Sequence, residues 1–221
     1  MHLGVIPDGN RRYADNEGIE NAEAYREAKN VIKQIGRNLK DEDVEEVSFY
    51  LLSEENLKRD DEELEDLFKL LESTISEVAE EFGDRGFRFN WATTMPDALP
   101  DHLQQKLSDL EEQFSEGKKQ INALISYDGK SDILQASESI AEEEDGFTEE
   151  NMASSLELDS SIDFVIRTGD NPERECLSGF PIWNASYSEF YHIKKNFPAV
   201  ELEDVKEALE HYQKLRRKKG R

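Results

Sequence analysis

The chain has 221 residues, with 51 acidic against 27 basic side chains and a formal net charge of −24. That charge excludes general affinity for nucleic acid or anionic membrane. Its one cysteine, Cys176, excludes an intramolecular disulfide, and no apolar run of about 18 residues is present to cross a bilayer. The acids lie on helix faces amid persistent apolar periodicity, which points to a halophile whose salty cytoplasm screens self-repulsion. An ordinary acidic protein is the alternative. No signal peptide precedes the first apolar run, so the chain is expected to be cytoplasmic.

In chain order, Leu3, Val5 and Ile6 read as a buried strand that Asp8-Gly9-Asn10 must end. A helix over roughly 20–39 follows, with Tyr25, Ala28, Val31, Ile32, Ile35 and Leu39 at helical spacing. Val44 to Leu52 is a second strand, closed by Ser53-Glu54-Glu55-Asn56. A long helix from about Asp61 to Phe82 carries an apolar stripe (Leu64, Leu67, Phe68, Leu71, Ile75, Val78). Phe87 to Trp91 is a third strand, and Leu103, Leu107, Leu110 and Phe114 mark a helix beginning near Pro100. Ile121 to Tyr127 is a fourth strand ending at Asp128-Gly129-Lys130, and a helix with Ile133, Leu134 and Ile140 leads to an acidic stretch, Glu142 to Glu150. Ile162 to Ile166 is a fifth strand running into Arg167-Thr168-Gly169-Asp170. Phe190 and Tyr191 suggest a short sixth strand before a closing helix over 202–217. Trp91 and Trp183 are expected in the core, and His102, His192 and His211 on the surface or at caps.

Strands alternating with helices predict an α/β fold: a central, mostly parallel sheet of about six strands flanked by helices, with residues 1–221 as one domain. Parallel strands deliver their polar turns to one sheet edge, where open α/β folds bind ligands. At that edge Asp8 can hold a hard cation, Gly9 lets backbone amides approach an anion, and Arg11 and Arg12 can fork onto phosphate oxygens. A tight turn with two solvated arginines is the bland alternative. The convergence of four such turns favours a site.

The turns also carry a resemblance. His2-Leu-Gly-Val-Ile6-Pro-Asp8-Gly9-Asn10-Arg-Arg12-Tyr13-Ala14, then Ser53-Glu54-Glu55-Asn56-Leu57-Lys58-Arg59, Tyr127-Asp128-Gly129-Lys130, Asp163 to Arg167-Thr168, Ser178-Gly-Phe180-Pro-Ile-Trp183 and Tyr187-Ser-Glu189-Phe-Tyr191 occur in that order. Together they are similar to the motifs of the cis-prenyltransferases, the family of undecaprenyl diphosphate synthases.

The resemblance implies magnesium-dependent condensation of isopentenyl diphosphate onto an allylic diphosphate, farnesyl or geranylgeranyl, giving a polyprenyl diphosphate for a glycosyl carrier lipid. It implies Asp8 as a catalytic residue and magnesium ligand, with Glu189 as a second ligand. Gly9, Asn10, Arg11, Arg12 and Tyr13 would bind the allylic diphosphate. Ser53, Glu55 and Arg59 would complete the substrate site, and Arg167, Arg174 and Ser178 would hold isopentenyl diphosphate. Asn56 matches the residue assigned to proton removal; an amide is a poor base, so pyrophosphate can be the acceptor with Asn56 orienting. The prenyl tail would thread between the 61–82 helix, its neighbour and the sheet. A homodimer, or a heteromer with a second family member, is implied, with transient membrane contact for product release and a location in the cytoplasm or peripheral at the membrane.

Several positions depart from the family pattern. Asn21 and Tyr25 stand where an Arg and a His usually touch the diphosphate, Leu57 replaces Trp, and the segment between Arg167 and Ser178 is longer by about three residues. These changes keep open a non-catalytic or weakly active partner subunit. An Asp-nucleophile phosphohydrolase is disfavoured, because Asp8 lacks a second acid two residues on.

Overall fold

The computed structural model describes the chain except residues 40–43, 143–145, 172–175 and 219–221, together with the side chains of 216–218. Six strands form one sheet: β1 (His2–Ile6), β2 (Glu46–Ser53), β3 (Phe87–Ala92), β4 (Lys119–Tyr127), β5 (Phe164–Thr168) and β6 (Glu189–Ile193). Their order is β3-β4-β2-β1-β5-β6, and every pairing is parallel. The helices are α1 (Asn10–Glu17), α2 (Asn21–Asn38), α3 (Asp61–Gly83), α4 (Asp101–Gln113), α5 (Gly129–Glu142), α6 (Glu149–Ser155) and α7 (Leu202–Lys218).

The α/β expectation holds, with local differences. The chain does not pass directly from the first turn to the 20–39 helix. It first makes the two-turn α1, which Gly18 ends in a left-handed conformation at φ 67°. β5 lies two residues later than the apolar run suggested, because Arg167 and Thr168 are buried within it. Trp183 is not in the core; it stands at the surface.

Alternating strand residues bury two faces. Leu3, Val5, Val47, Phe49, Ile121 and Phe164 pack under α2, α3, α4 and α7. Ile6, Tyr50, Leu124, Val165 and Phe180 pack on the other side. The amino-terminal half of that second face carries a polar belt: His2 Nε2 lies 2.8 Å from Ser48 Oγ, and Asn122 Nδ2 reaches Glu46 at 2.7 Å and Ser48 at 3.0 Å. Burial pushes the His2 pKa below the ordinary histidine value, so the neutral ring fits this belt.

The long helix α3 is started by Asp60, whose carboxylate accepts the Glu63 backbone N–H at 2.9 Å. Asp61, Glu62 and Glu63 in its first turn complement the helix dipole. With a formal charge of −24, repulsion across such acidic faces opposes folding at low ionic strength. Thermal unfolding between 0.1 and 2 M KCl is expected to show the midpoint rising by about 5 °C or more as salt screens these charges. A midpoint that is flat or falls with KCl would contradict the halophilic reading of the composition.

Candidate active site

The carboxyl ends of β1, β2 and β5 open onto a cleft of about 310 Å³. β1 stops because Pro7 and a tight turn follow it: the Asp8 N–H returns to the Ile6 carbonyl at 3.0 Å, and Gly9 adopts φ 101°. A Cβ at Gly9 would sit 2.2 Å from Asn196 Oδ1, so backbone conformation and space both demand glycine. Gly9→Ala is expected to cost about 2 kcal/mol or more in urea unfolding. An unchanged transition midpoint would show that the turn tolerates a side chain. Gly9 caps α1, whose first N–H groups have no carbonyl partner inside the helix.

Asp8 is fixed from behind, since its carbonyl accepts Thr168 Oγ1 at 2.8 Å and the Phe197 N–H at 3.0 Å. Its carboxylate meets two arginines, with Arg167 Nη2 2.5 Å from Oδ2 and Arg12 Nη2 3.4 Å from Oδ1. Arg167 is in register with Ile6 across the β1–β5 pair and is only 2% exposed. Its Nη1 donates to Ser178 Oγ at 2.7 Å and to the Cys176 carbonyl. Ser178 takes the left-handed conformation at φ 51°, and its carbonyl lies 3.2 Å from the Tyr50 hydroxyl. Arg12 is steered by Asp170, which accepts its Nε at 3.0 Å and is itself held by Asn196 Nδ2 at 2.9 Å. Arg167 Nε and Arg12 Nη2 remain buried donors without a hydrogen-bond acceptor, the condition an incoming anion relieves.

On the opposite lip, Ser53 and Asn56 close a reciprocal cap. The Ser53 N–H donates to Asn56 Oδ1 at 3.1 Å, and the Asn56 N–H donates to Ser53 Oγ at 3.3 Å. Arg59 Nη1 donates to the Tyr25 hydroxyl at 3.2 Å and to Glu63 at 3.1 Å. Pro7, Asn10, Tyr25, Leu51 and Leu67 then lead from the cleft into a narrow apolar channel of about 50 Å³ between α2 and α3. Phe49, Val78 and Phe89 line a separate small apolar pocket that shares Ile32, Leu51 and Thr74 with the channel. Behind Phe49, the Phe82 ring stands edge-on at 6.1 Å and covers Gly36.

The cleft is thus a basic anion site joined to an apolar slot, and the comparisons agree with it. The family model for undecaprenyl diphosphate synthases matches residues 6–220. The chain belongs to this prenyltransferase family. It is 28% identical to an isoprenyl transferase of Campylobacter jejuni, with all of this chain and 98% of the relative aligned. It is 29% identical to a geranylgeranyl-diphosphate-specific tritrans,polycis-undecaprenyl-diphosphate synthase of Pyrobaculum aerophilum, covering 100% of this chain and 95% of the relative. Among solved structures, a probable undecaprenyl diphosphate synthase from C. jejuni superposes with a TM-score of 0.81 at 25% identity, over 96% of this chain and 94% of that one. Lavandulyl diphosphate synthase from Lavandula x intermedia shares the fold, with a TM-score of 0.86 at 24% identity over 96% of this chain and 94% of that one. The chain is therefore a cis-prenyltransferase by family, an enzyme class that makes polyprenyl diphosphates from isoprenoid diphosphates. Among the described residues, no helix is long and apolar enough to cross a membrane.

Of the residues singled out from the sequence, the fold brings Asp8, Gly9, Asn10, Arg11, Arg12, Ser53, Glu55, Asn56, Arg59, Arg167 and Ser178 to the cleft. Arg174 lies outside the described residues. Tyr13 is not brought there. It sits one residue around α1 from Arg12, and its hydroxyl pairs with Glu27 of α2, which raises its pKa to about 12. Glu189 is not brought there either. It opens β6 in register with Phe164, whereas Asp8 lies beyond the end of β1, where Ile6 pairs with Arg167. The two acids stand at opposite ends of the sheet and cannot share an ion within this chain. Sequence reading missed Thr168, Asp170, Glu63 and Asn196. Asp170 carried a signal, since it ends the polar turn after β5; Asn196 carried none.

Proposed function

We propose that this chain is a magnesium-dependent cis-prenyltransferase that extends an allylic diphosphate with isopentenyl diphosphate. One observation carries the reading: Arg11, Arg12, Arg59 and Arg167 line, with Asp8, a single cleft that opens into an apolar channel. That arrangement suits molecules with an anionic head and a hydrocarbon tail. Tail burial in the channel contributes about 0.8 kcal/mol per methylene, and guanidinium forks bind the phosphates.

The donor chemistry fits magnesium, which prefers one or two carboxylates completed by substrate phosphate oxygens. Of the two carboxylates that line the cleft, Asp8 and Glu55, Asp8 lies between Arg12 and Arg167 and would hold the ion. Bound there, the ion would supply positive charge to neutralise the diphosphate that leaves allylic C1. The residues supply the rest. Arg11, Arg12 and the α1 amides cradle the allylic diphosphate, and Arg167 and Ser178 hold isopentenyl diphosphate so that its C4 faces the allylic C1. The new bond joins those carbons, and a proton leaves C2 of the isopentenyl unit. Asn56 is not the base in this scheme: its carbonyl oxygen already accepts the Ser53 N–H, leaving Nδ2 to donate. The departing pyrophosphate takes the proton, oriented by Asn56.

Residues 1–221 act as one domain in this reading. A homodimer is supported by β6 lying at the sheet edge beside exposed Trp183, Tyr187 and Phe190. The product serves as precursor of a glycosyl carrier lipid, released at the membrane surface from a cytoplasmic enzyme, in a halophilic host. A second reading, a non-catalytic or weakly active partner subunit, draws on Tyr25: a phenol stands where the family pattern has a His, and its hydroxyl accepts from Arg59.

The test is transfer of labelled isopentenyl diphosphate to farnesyl and geranylgeranyl diphosphates in separate reactions, with products separated by length and new double bonds assigned by NMR. Extended products with cis bonds support the enzyme. Extension only after adding a second family member would move the chain to the partner reading.

A further inference from the structure

The cleft's four arginines meet in two pairs, each sharing a carboxylate, with Arg12 held in addition by Asp170. Arg12 and Arg167 close on Asp8, at the centre where the chemistry is read. Arg11 and Arg59 close on Glu63: its Oε1 lies 3.5 Å from Arg11 Nη1 and 3.1 Å from Arg59 Nη1. Arg11 belongs to α1 and Arg59 to the turn before α3, so one carboxylate oxygen bridges the two lips of the cleft. Glu63 does not itself line the cleft. Its place is fixed by α3, whose first turn is locked by the bond from the Glu63 N–H to Asp60. One oxygen gathering two guanidinium groups is the arrangement a phosphate oxygen makes.

We propose that Glu63 is an internal competitor for diphosphate: it holds Arg11 and Arg59 when the cleft is empty and recaptures them to expel pyrophosphate after condensation. The inference rests on the reading of the cleft as a diphosphate site. A prenyl diphosphate keeps its tail buried in the channel, whereas inorganic pyrophosphate has only its contacts with the arginines. Competition by Glu63 lowers both affinities by a similar factor, but only the by-product lacks a buried tail to retain it. Glu63 acts through the arginines and is a positioning residue.

The test is calorimetric titration of the full chain with inorganic pyrophosphate, comparing wild type, Glu63→Gln and Glu62→Gln at 0.1 and 2 M KCl. Glu62 lies in the same helical turn but is exposed, so it controls for loss of one negative charge. Glu63→Gln is expected to bind about 10-fold more tightly at 0.1 M KCl, where the screening length is about 10 Å. At 2 M KCl the gap should close to about twofold, and Glu62→Gln should match wild type in both salts. In turnover, Glu63→Gln should lower KM for the allylic diphosphate and lower kcat with it, as slowed product release requires. A structural role alone would weaken binding in both salts. Equal or weaker binding by Glu63→Gln, or the same gain from Glu62→Gln, overturns the proposal while leaving the diphosphate site intact. Absence of pyrophosphate binding by folded wild type and Glu63→Gln alike overturns the diphosphate reading itself.

Discussion

Asp8→Ala is expected to lower kcat for isopentenyl transfer by about three orders of magnitude. The carboxylate has two tasks in the cleft, and alanine removes both. It would hold the magnesium that neutralises the leaving diphosphate, an effect worth several kcal/mol at the transition state, and each 1.36 kcal/mol is a factor of ten in rate. It also aims Arg12 and Arg167, which bracket its two oxygens. The backbone of Asp8 is held separately by Thr168 and Phe197, so the turn should survive the substitution. Asp8→Asn distinguishes the tasks: it keeps the shape but loses the charge, and should be nearly as inactive. If Asp8→Asn retained more than a tenth of wild-type kcat, the charge of Asp8 would not be central to the chemistry.

Arg167→Ala should have the largest effect on stability. This side chain is 2% exposed and is tied to Asp8, to Ser178 and to the Cys176 carbonyl. Truncation leaves the Asp8 carboxylate without its closest cation, opens a cavity between the turn after β1 and the Cys176–Ser178 segment, and releases that segment. Breaking a buried ion pair on one side costs about 3–5 kcal/mol, which for a chain of this size lowers the melting temperature by about 10 °C. Arg167→Lys should recover little, because one ammonium cannot fork onto Asp8 and Ser178 together. Urea unfolding of the three proteins measures this directly. A loss below about 1 kcal/mol for Arg167→Ala would mean that Arg167 serves substrate alone and contributes nothing to the frame.

The parallel sheet was legible because its strands are short apolar runs, each closed by a polar turn, and such runs leave few other packings. The turn at Asp8-Gly9-Asn10 announced the cleft for the same reason. Features set by the third dimension were not legible. Tyr13 follows Arg12 directly, yet one step around a helix turns a side chain by about 100° and sends Tyr13 to α2. Glu189 sits in a strand whose register the sequence does not specify, and parallel pairing with β5 leaves it at the far end from Asp8. Trp183 reads as core by its chemistry, but it lies in a segment after β5 whose path no periodicity describes. Asn196, which makes Gly9 obligatory, is 187 positions away in sequence and meets it only because the chain after β6 folds back over β1. Glu63 was hidden among a run of acids in which only one, by helical phase, faces the arginines.

In the proposed function this chain by itself joins isopentenyl diphosphate to an allylic diphosphate in the cleft around Asp8. The most direct test is incorporation of labelled isopentenyl diphosphate by the purified chain in molar KCl with magnesium, no second protein present, and farnesyl or geranylgeranyl diphosphate as starter. Labelled, solvent-extractable product is expected with at least one of the starters, and none above background for Asp8→Ala. Folded protein that incorporates nothing with either starter would contradict the proposed function.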